Sequence, residues 1–101
     1  MVLAAGLGKR MGELTRERPK PLIEVCGVAL IDGVLDRLLK AGISRVVVNI
    51  CHHSGLMREH LAMWKYPEII ISDETERLMD TGGGGFSALD KLGVGPFLVV
   101  N

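Results

Sequence analysis

The chain has 101 residues, 48% of them apolar and 24% charged, and carries no net charge. That length suits one small domain, and that apolar fraction excludes a disordered chain. Balanced charge gives no general attraction to nucleic acid or to an anionic membrane, and neither a signal peptide nor an apolar run of membrane length is present, so a cytoplasmic protein with no nucleic-acid and no membrane partner is expected. Cys26 and Cys51 make no Cys-x-x-Cys and no disulfide framework. The charge is unevenly spread: Lys9, Arg10, Arg16, Arg18 and Lys20 face only Glu13 and Glu17 within residues 1–20, a basic pole suited to an anionic small molecule.

Residues 1–4 read as a short apolar strand that runs into a loop with Gly6 and Gly8, followed at once by Lys9 and Arg10. A strand end that releases such a loop exposes several backbone N–H groups in one turn, a natural seat for phosphate. Arg10 adds a planar fork for two phosphate oxygens, and Lys9 a mobile point charge. Met11 stands where a dinucleotide fingerprint needs its third glycine, and no Gly-x-x-x-x-Gly-Lys-Ser/Thr occurs, so neither a bare dinucleotide binder nor a P-loop enzyme is expected. Pro19 and Pro21 flank Lys20, disfavour helix there, and are expected to hold Lys20 on a stiff extended segment. Loop and lysine would then face one triphosphate.

Residues 22–25 read as a short extended piece ending at Gly27. From Ala29 onward, Leu30, Ile31, Val34, Leu35, Leu38 and Leu39 form one helical stripe, with Asp32, Asp36, Arg37 and Lys40 opposite and Gly42 as the stop. Residues 44–50 contain a β-branched run fit for a buried parallel strand. Ser54 reads as the cap of a second helix reaching about Trp64, and Pro67 closes it. Residues 69–71 are a third strand. Residues 86–92 read as a third helix, led in by a loop of Thr81, Gly82, Gly83, Gly84 and Gly85, and residues 97–101 as a fourth strand.

Strands alternating with helices at this spacing predict one α/β domain over residues 1–101, a Rossmann-like, mostly parallel sheet flanked by helices. Ligands in such sheets sit at the carboxyl ends of the strands, where the loop after Ala4, residues 49–53, residues 73–85 and Asn101 are expected to meet. Adjacent His52 and His53 on an extended segment would point to opposite faces, which argues against zinc. Asp73, Glu74 and Glu76 read as a solvated acidic loop. No nucleophile–base constellation stands out, so a hydrolase has little support.

Leu3, Ala4, Ala5, Gly6, Gly8, Arg10 and Met11, followed by Pro19, Lys20 and Pro21, resemble the sugar-phosphate nucleotidyltransferases, which open with a strand and Leu-Ala-Ala-Gly-x-Gly-x-Arg-Met and then carry Pro-Lys-Pro. Asp80, Thr81, Gly82, Gly83 and Gly84 resemble the Glu-Thr-Gly-Gly-Gly of the branch that holds N-acetylmuramate 1-phosphate uridylyltransferases and mannose 1-phosphate guanylyltransferases, with Asp in place of Glu. The resemblance implies a nucleotide-diphospho-sugar transferase fold and transfer of a nucleoside monophosphate from UTP, or else GTP, to a sugar 1-phosphate, with release of pyrophosphate. It implies Arg10 and Lys20 as the catalytic cations. It implies nucleotide contacts from Leu3, Ala4, Ala5, Gly6, Gly8, Lys9 and Arg10, with Thr81, Gly82 and Gly83 closing over base and ribose.

Members of that family bind magnesium through an aspartate just beyond the strand that matches residues 97–101. The present sequence ends at Asn101, and the family's sugar-binding half is absent as well. The resemblance therefore implies a truncated nucleotide-binding part with no metal ligand of its own, from which weak nucleotide binding rather than turnover is expected. A non-catalytic nucleotide-sensing or regulatory module of the same fold is the alternative. An open sheet edge after the fourth strand leaves room for an oligomer.

Overall fold

A computed structural model describes residues 1–76 and 81–101. Its centre is β4, Arg45–Ile50, whose Val46, Val47, Val48, Asn49 and Ile50 are all buried. Such a run suits a strand covered on both faces. β1, Val2–Leu3, and β5, Glu68–Asp73, pair with it in parallel, Val2 opposite Val48 and Val48 opposite Ile71. Beyond β1 lies the C-terminal segment. Val100 bridges Val2 in parallel, its N–H donating to the Met1 carbonyl at 2.9 Å and its carbonyl accepting from Leu3 N–H at 2.8 Å. Across the sheet the chain therefore runs C-terminal segment, β1, β4, β5. This is the doubly wound order, with its switch point beside β1.

α1, Leu30–Lys40, and α2, Ser54–Leu61, cover one face, where Leu35, Leu38, Met57 and Leu61 pack with Val46, Val48 and Ile50. Val47 faces the other way, onto Met1 and Ala88, where α3, Thr81–Ser87, and α4, Leu89–Leu92, lie. α1 follows the sequence pattern in part: Ile31, Leu35 and Leu38 are buried and Val34 is half-buried, whereas Leu30 and Leu39 of the same stripe are exposed. Asp32 sits in the first turn and Arg37 and Lys40 in the last, complementing the helix dipole. It closes with Gly42 N–H on the Leu39 carbonyl and Ile43 N–H on the Leu38 carbonyl, both 3.0 Å, the paired bonds of a Schellman end. Burial of Leu35, which is fully enclosed, stabilises the fold by about 1.5–3 kcal/mol.

Several local expectations are corrected. Residues 22–25 do not run alone: β2, Glu24–Val25, pairs antiparallel with β3, Val28–Ala29, around a left-handed pair at Cys26 (φ 52°) and Gly27 (φ 77°), the geometry of a tight hairpin turn. Lys20 is not extended. Lys20–Leu22 is a 3-10 turn with Ile23 N–H on the Lys20 carbonyl at 3.1 Å; proline's fixed φ suits a first helical turn as well as a strand. Ser54 begins α2 rather than capping it, since the preceding residue, His53, is left-handed (φ 51°). α2 also stops at Leu61, short of Trp64, whose indole N–H turns to Asp32 instead, at 2.9 Å. The glycines at 82–85 lie inside α3 rather than in a loop before it. The fourth strand reduces to the single bridge at Val100.

Candidate functional site at the strand ends

β1 delivers buried Ala4 and Ala5 to the carboxyl edge of the sheet, and the chain turns outward at Gly6. Ala4 N–H donates to Asn49 Oδ1 at 2.6 Å. Among the described residues the N–H groups of Gly6, Leu7 and Gly8 reach no acceptor, so three successive backbone donors stand ready for an anion.

Gly8 has φ +63°, and a Cβ placed on it would lie 2.8 Å from Thr15 Cγ2 and 3.2 Å from Lys20 Cβ. The glycine is what lets the loop and the Lys20 turn touch. Thr15, buried, holds the arrangement from inside, its hydroxyl 3.2 Å from the carbonyls of Gly8 and of Gly12. Lys9–Thr15 is itself a 3-10 stretch kinked at Gly12, with Met11 N–H on the Gly8 carbonyl at 2.8 Å. Lys9, Arg10 and Lys20 are exposed, and among the described residues none of them has a carboxylate partner. Exposed cations without carboxylate partners, near N–H groups that reach no acceptor, are chemically suited to a polyanion.

The second glycine segment joins the first through two buried polar side chains. Asn49 Nδ2 donates to Glu74 Oε1 at 2.9 Å, and Glu74 N–H donates to the Ile50 carbonyl at 2.8 Å. A Cβ on Gly84 would fall 2.8 Å from Glu74 Oε1 and 3.0 Å from Asn49 Nδ2, so α3 rests directly on this pair. The expectation of a solvated acidic loop is corrected at Glu74, which is only 4% exposed. Asp80 lies outside the described residues. Thr81, Gly82 and Gly83 stand in α3, whose Gly84 meets Asn49, the residue that also holds Ala4. Asn49, Glu74 and Thr15 were not singled out from the sequence as site residues. For Asn49 the available signal was a polar side chain inside an otherwise apolar strand.

The neighbouring groups are held in defined states. Asp73 accepts from the Thr75 hydroxyl, from Thr75 N–H at 2.8 Å and from Arg58, and these bonds, the hydroxyl's foremost, lower its carboxyl to about 2. Burial, with Glu74 and Asp73 adding to it, pushes the Cys51 thiol up, so Cys51 is a poor nucleophile. His52 and His53 sit on a turn with ring centroids 4.0 Å apart, not on opposite faces of a strand. Among the described residues no three His, Cys, Asp or Glu side chains converge as a metal site. The acids at the strand ends are committed, Asp73 to Thr75 and Arg58 and Glu74 to Asn49. Among the described residues no helix is long and apolar enough to cross a membrane.

Residues 1–101 match the family described as MobA-like NTP transferase domain over their whole length. The chain is 50% identical to N-acetylmuramate alpha-1-phosphate uridylyltransferase of Caulobacter vibrioides, with all of this chain and 43% of that protein covered. It is 41% identical to the enzyme of the same name from Neisseria meningitidis, covering all of this chain and 45% of that one. The fold is similar to that of the CTP:phosphocholine cytidylyltransferase from Streptococcus pneumoniae, with a TM-score of 0.73 at 22% identity over 90% of this chain and 39% of that one. The chain thus spans less than half the length of these relatives.

Proposed function

The chain belongs to the MobA-like NTP transferase domain family, and on that premise we propose that residues 1–101 are the nucleotide-binding part of a sugar-1-phosphate nucleotidyltransferase acting in the cytoplasm. The donor is UTP, with GTP second, and the acceptor is a sugar 1-phosphate. The uridylyltransferase relatives support that order of preference.

In the proposed reaction a sugar-1-phosphate oxygen forms a bond to the α-phosphorus of the triphosphate. The bond from that phosphorus to the bridging oxygen breaks, and pyrophosphate leaves with the electron pair. Such a transfer depends on alignment and charge neutralisation rather than on acid–base chemistry. The free N–H groups of Gly6, Leu7 and Gly8 cradle phosphate oxygens, with Leu3, Ala4 and Ala5 beneath the nucleoside and Lys9 adding charge at the rim. Arg10 takes the charge that develops on pyrophosphate, and Lys20 that of the α-phosphoryl group or the incoming phosphate. Thr81, Gly82 and Gly83 close over base and ribose. Magnesium bound to the triphosphate would supply further neutralisation of phosphate charge, with no described residue assigned to hold it.

One observation carries this reading: Gly8 packs against the Lys20 turn, so the free N–H groups and the unpaired cations share one patch. Calorimetric titration with UTP, GTP, CTP and ATP in the presence of magnesium tests it, beside an Arg10→Ala variant. Preferential binding of UTP or GTP, weakened about tenfold in the variant, is expected; about 1.4 kcal/mol is the cost of one such charge-assisted contact. A folded chain that binds no triphosphate would overturn the reading.

A further inference from the structure

We infer that Glu74 is a positioning residue, which works through Asn49 to hold the phosphate loop and the glycine helix α3 in fixed relation to each other. The inference rests on the nucleotide-binding reading above. Glu74 and Asn49 are each 4% exposed, deep for a charged and an amide side chain at a loop junction. Burying a carboxylate is costly, and an apolar pair of similar volume would hold three strand ends together at least as well. What an apolar pair would not supply is the directed chain of contacts seen here. Glu74 Oε1 takes one Asn49 N–H at 2.9 Å, which fixes the orientation of the amide. The amide oxygen, thus aimed, takes Ala4 N–H at 2.6 Å, two residues before the loop turns outward at Gly6.

Holding Ala4 inward is what sends the following N–H groups out toward the ligand. The same pair forms the floor for α3. The Gly84 Cα sits where any Cβ would strike Glu74 and Asn49, so the helix approaches more closely than a side chain allows. Glu74's own N–H, on the Ile50 carbonyl at 2.8 Å, anchors it to the end of the central strand. Two glycine segments 78 residues apart, at Gly6 and Gly84, are thereby registered against one carboxylate. Fully satisfied buried networks of this kind specify geometry more than they add stability.

The test compares Glu74→Ala, Glu74→Gln and Asn49→Ser with the unaltered full chain. Three quantities are measured: UTP affinity by calorimetry, thermal melting, and the exchange rate of the Ala4 amide in the ligand-free protein by NMR. Glutamine keeps an oxygen for Asn49 to donate to, so Glu74→Gln is expected to bind UTP within about threefold of the unaltered chain. Glu74→Ala and Asn49→Ser are expected to weaken binding at least tenfold and to speed Ala4 exchange at least tenfold. A merely structural role would lower the melting temperature without that selective exposure of Ala4 and without rescue by glutamine.

If Glu74→Ala does not melt cooperatively, Asn49→Ser decides, because serine keeps a polar group but is too short to span Ala4 and Glu74. Binding of UTP by either folded variant within twofold of the unaltered chain overturns the proposal. If the unaltered chain binds no triphosphate, the nucleotide reading falls. The Ala4 exchange rates then still decide whether the tie exists.

Discussion

The Cβ position of Gly8 lies 3.2 Å from the Cβ of Lys20, with the two backbones pressed together across the turn that Thr15 holds. Replacement by alanine meets two penalties there: a left-handed backbone at φ +63°, and a methyl 2.8 Å from Thr15 Cγ2. Gly8→Ala is therefore expected to destabilise the chain by about 1–3 kcal/mol. For a domain of this size that lowers the melting midpoint by roughly 4–8 °C per kcal/mol. The same variant is expected to weaken triphosphate binding, because relief of the clash moves Lys20 away from the loop. An unchanged melting curve would contradict the close approach.

Lys20→Ala separates charge from architecture at the same spot. The Lys20 ammonium is exposed and has no carboxylate partner among the described residues, so its removal is expected to change stability by no more than about 0.5 kcal/mol. Triphosphate affinity is expected to fall about tenfold at low salt, and the loss to shrink as ionic strength rises, since exposed charges are screened over a Debye length of about 8–10 Å. Calorimetry at two salt concentrations checks both parts. Full affinity in Lys20→Ala would remove Lys20 from the site.

The contrast between these glycine and lysine effects marks what could be read from the sequence. α1 and β4 were legible because burial there follows a period: Ile31, Leu35 and Leu38 repeat at helical spacing, and the run from Val46 to Val48 suits a strand covered on both sides. The phosphate loop was legible because Gly6, Gly8 and the adjacent cations are contiguous. Neither Glu74 nor α3 was. Glu74 stands among Asp73, Thr75 and Glu76, and local composition makes such a run look solvated; only the pairing of β4 with β5 sets it beside Asn49. Four glycines in succession oppose a helix by about 1 kcal/mol each relative to alanine, so local propensity favours a loop. Tertiary contact overrides that preference at Gly84, where the helix must approach Glu74. Thr15 escaped notice for a similar reason, since its work is to hold two carbonyls that only the fold brings together.

The two thiols are expected to differ in reactivity. Cys26 lies exposed at the hairpin turn, whereas Cys51 is partly covered at the end of β4 and its thiol is raised by burial and by the nearby Glu74 and Asp73. Alkylation proceeds through the thiolate. At neutral pH iodoacetamide is expected to label Cys26 at least tenfold faster than Cys51, with peptide mass spectrometry assigning the sites. Saturating UTP is expected to leave the Cys26 rate unchanged, because the hairpin turn lies outside the proposed site. Faster labelling of Cys51 would show that the acidic surroundings described for it do not hold in solution.

Acid stability tests the state of Asp73. Its carboxyl is lowered to about 2 from an ordinary 3.8, first by the Thr75 hydroxyl, then by Thr75 N–H and by Arg58. A folded-state value below the unfolded one means that the folded protein binds the proton less readily. The stabilisation is therefore complete above about pH 4 and is lost as the pH falls toward 2. Arg58 and Asp73 are 50% and 37% exposed, so solvent screening limits the contribution to at most about 1 kcal/mol. Asp73→Asn keeps an acceptor for Thr75 but discards the charge that Arg58 meets. Its melting temperature is expected to lie below that of the unaltered chain at pH 6, with the gap closing between pH 4 and pH 2 and narrowing in high salt. Melting curves that fall in parallel across that range would show that the Asp73 carboxylate is not held by Thr75 and Arg58 in the folded chain.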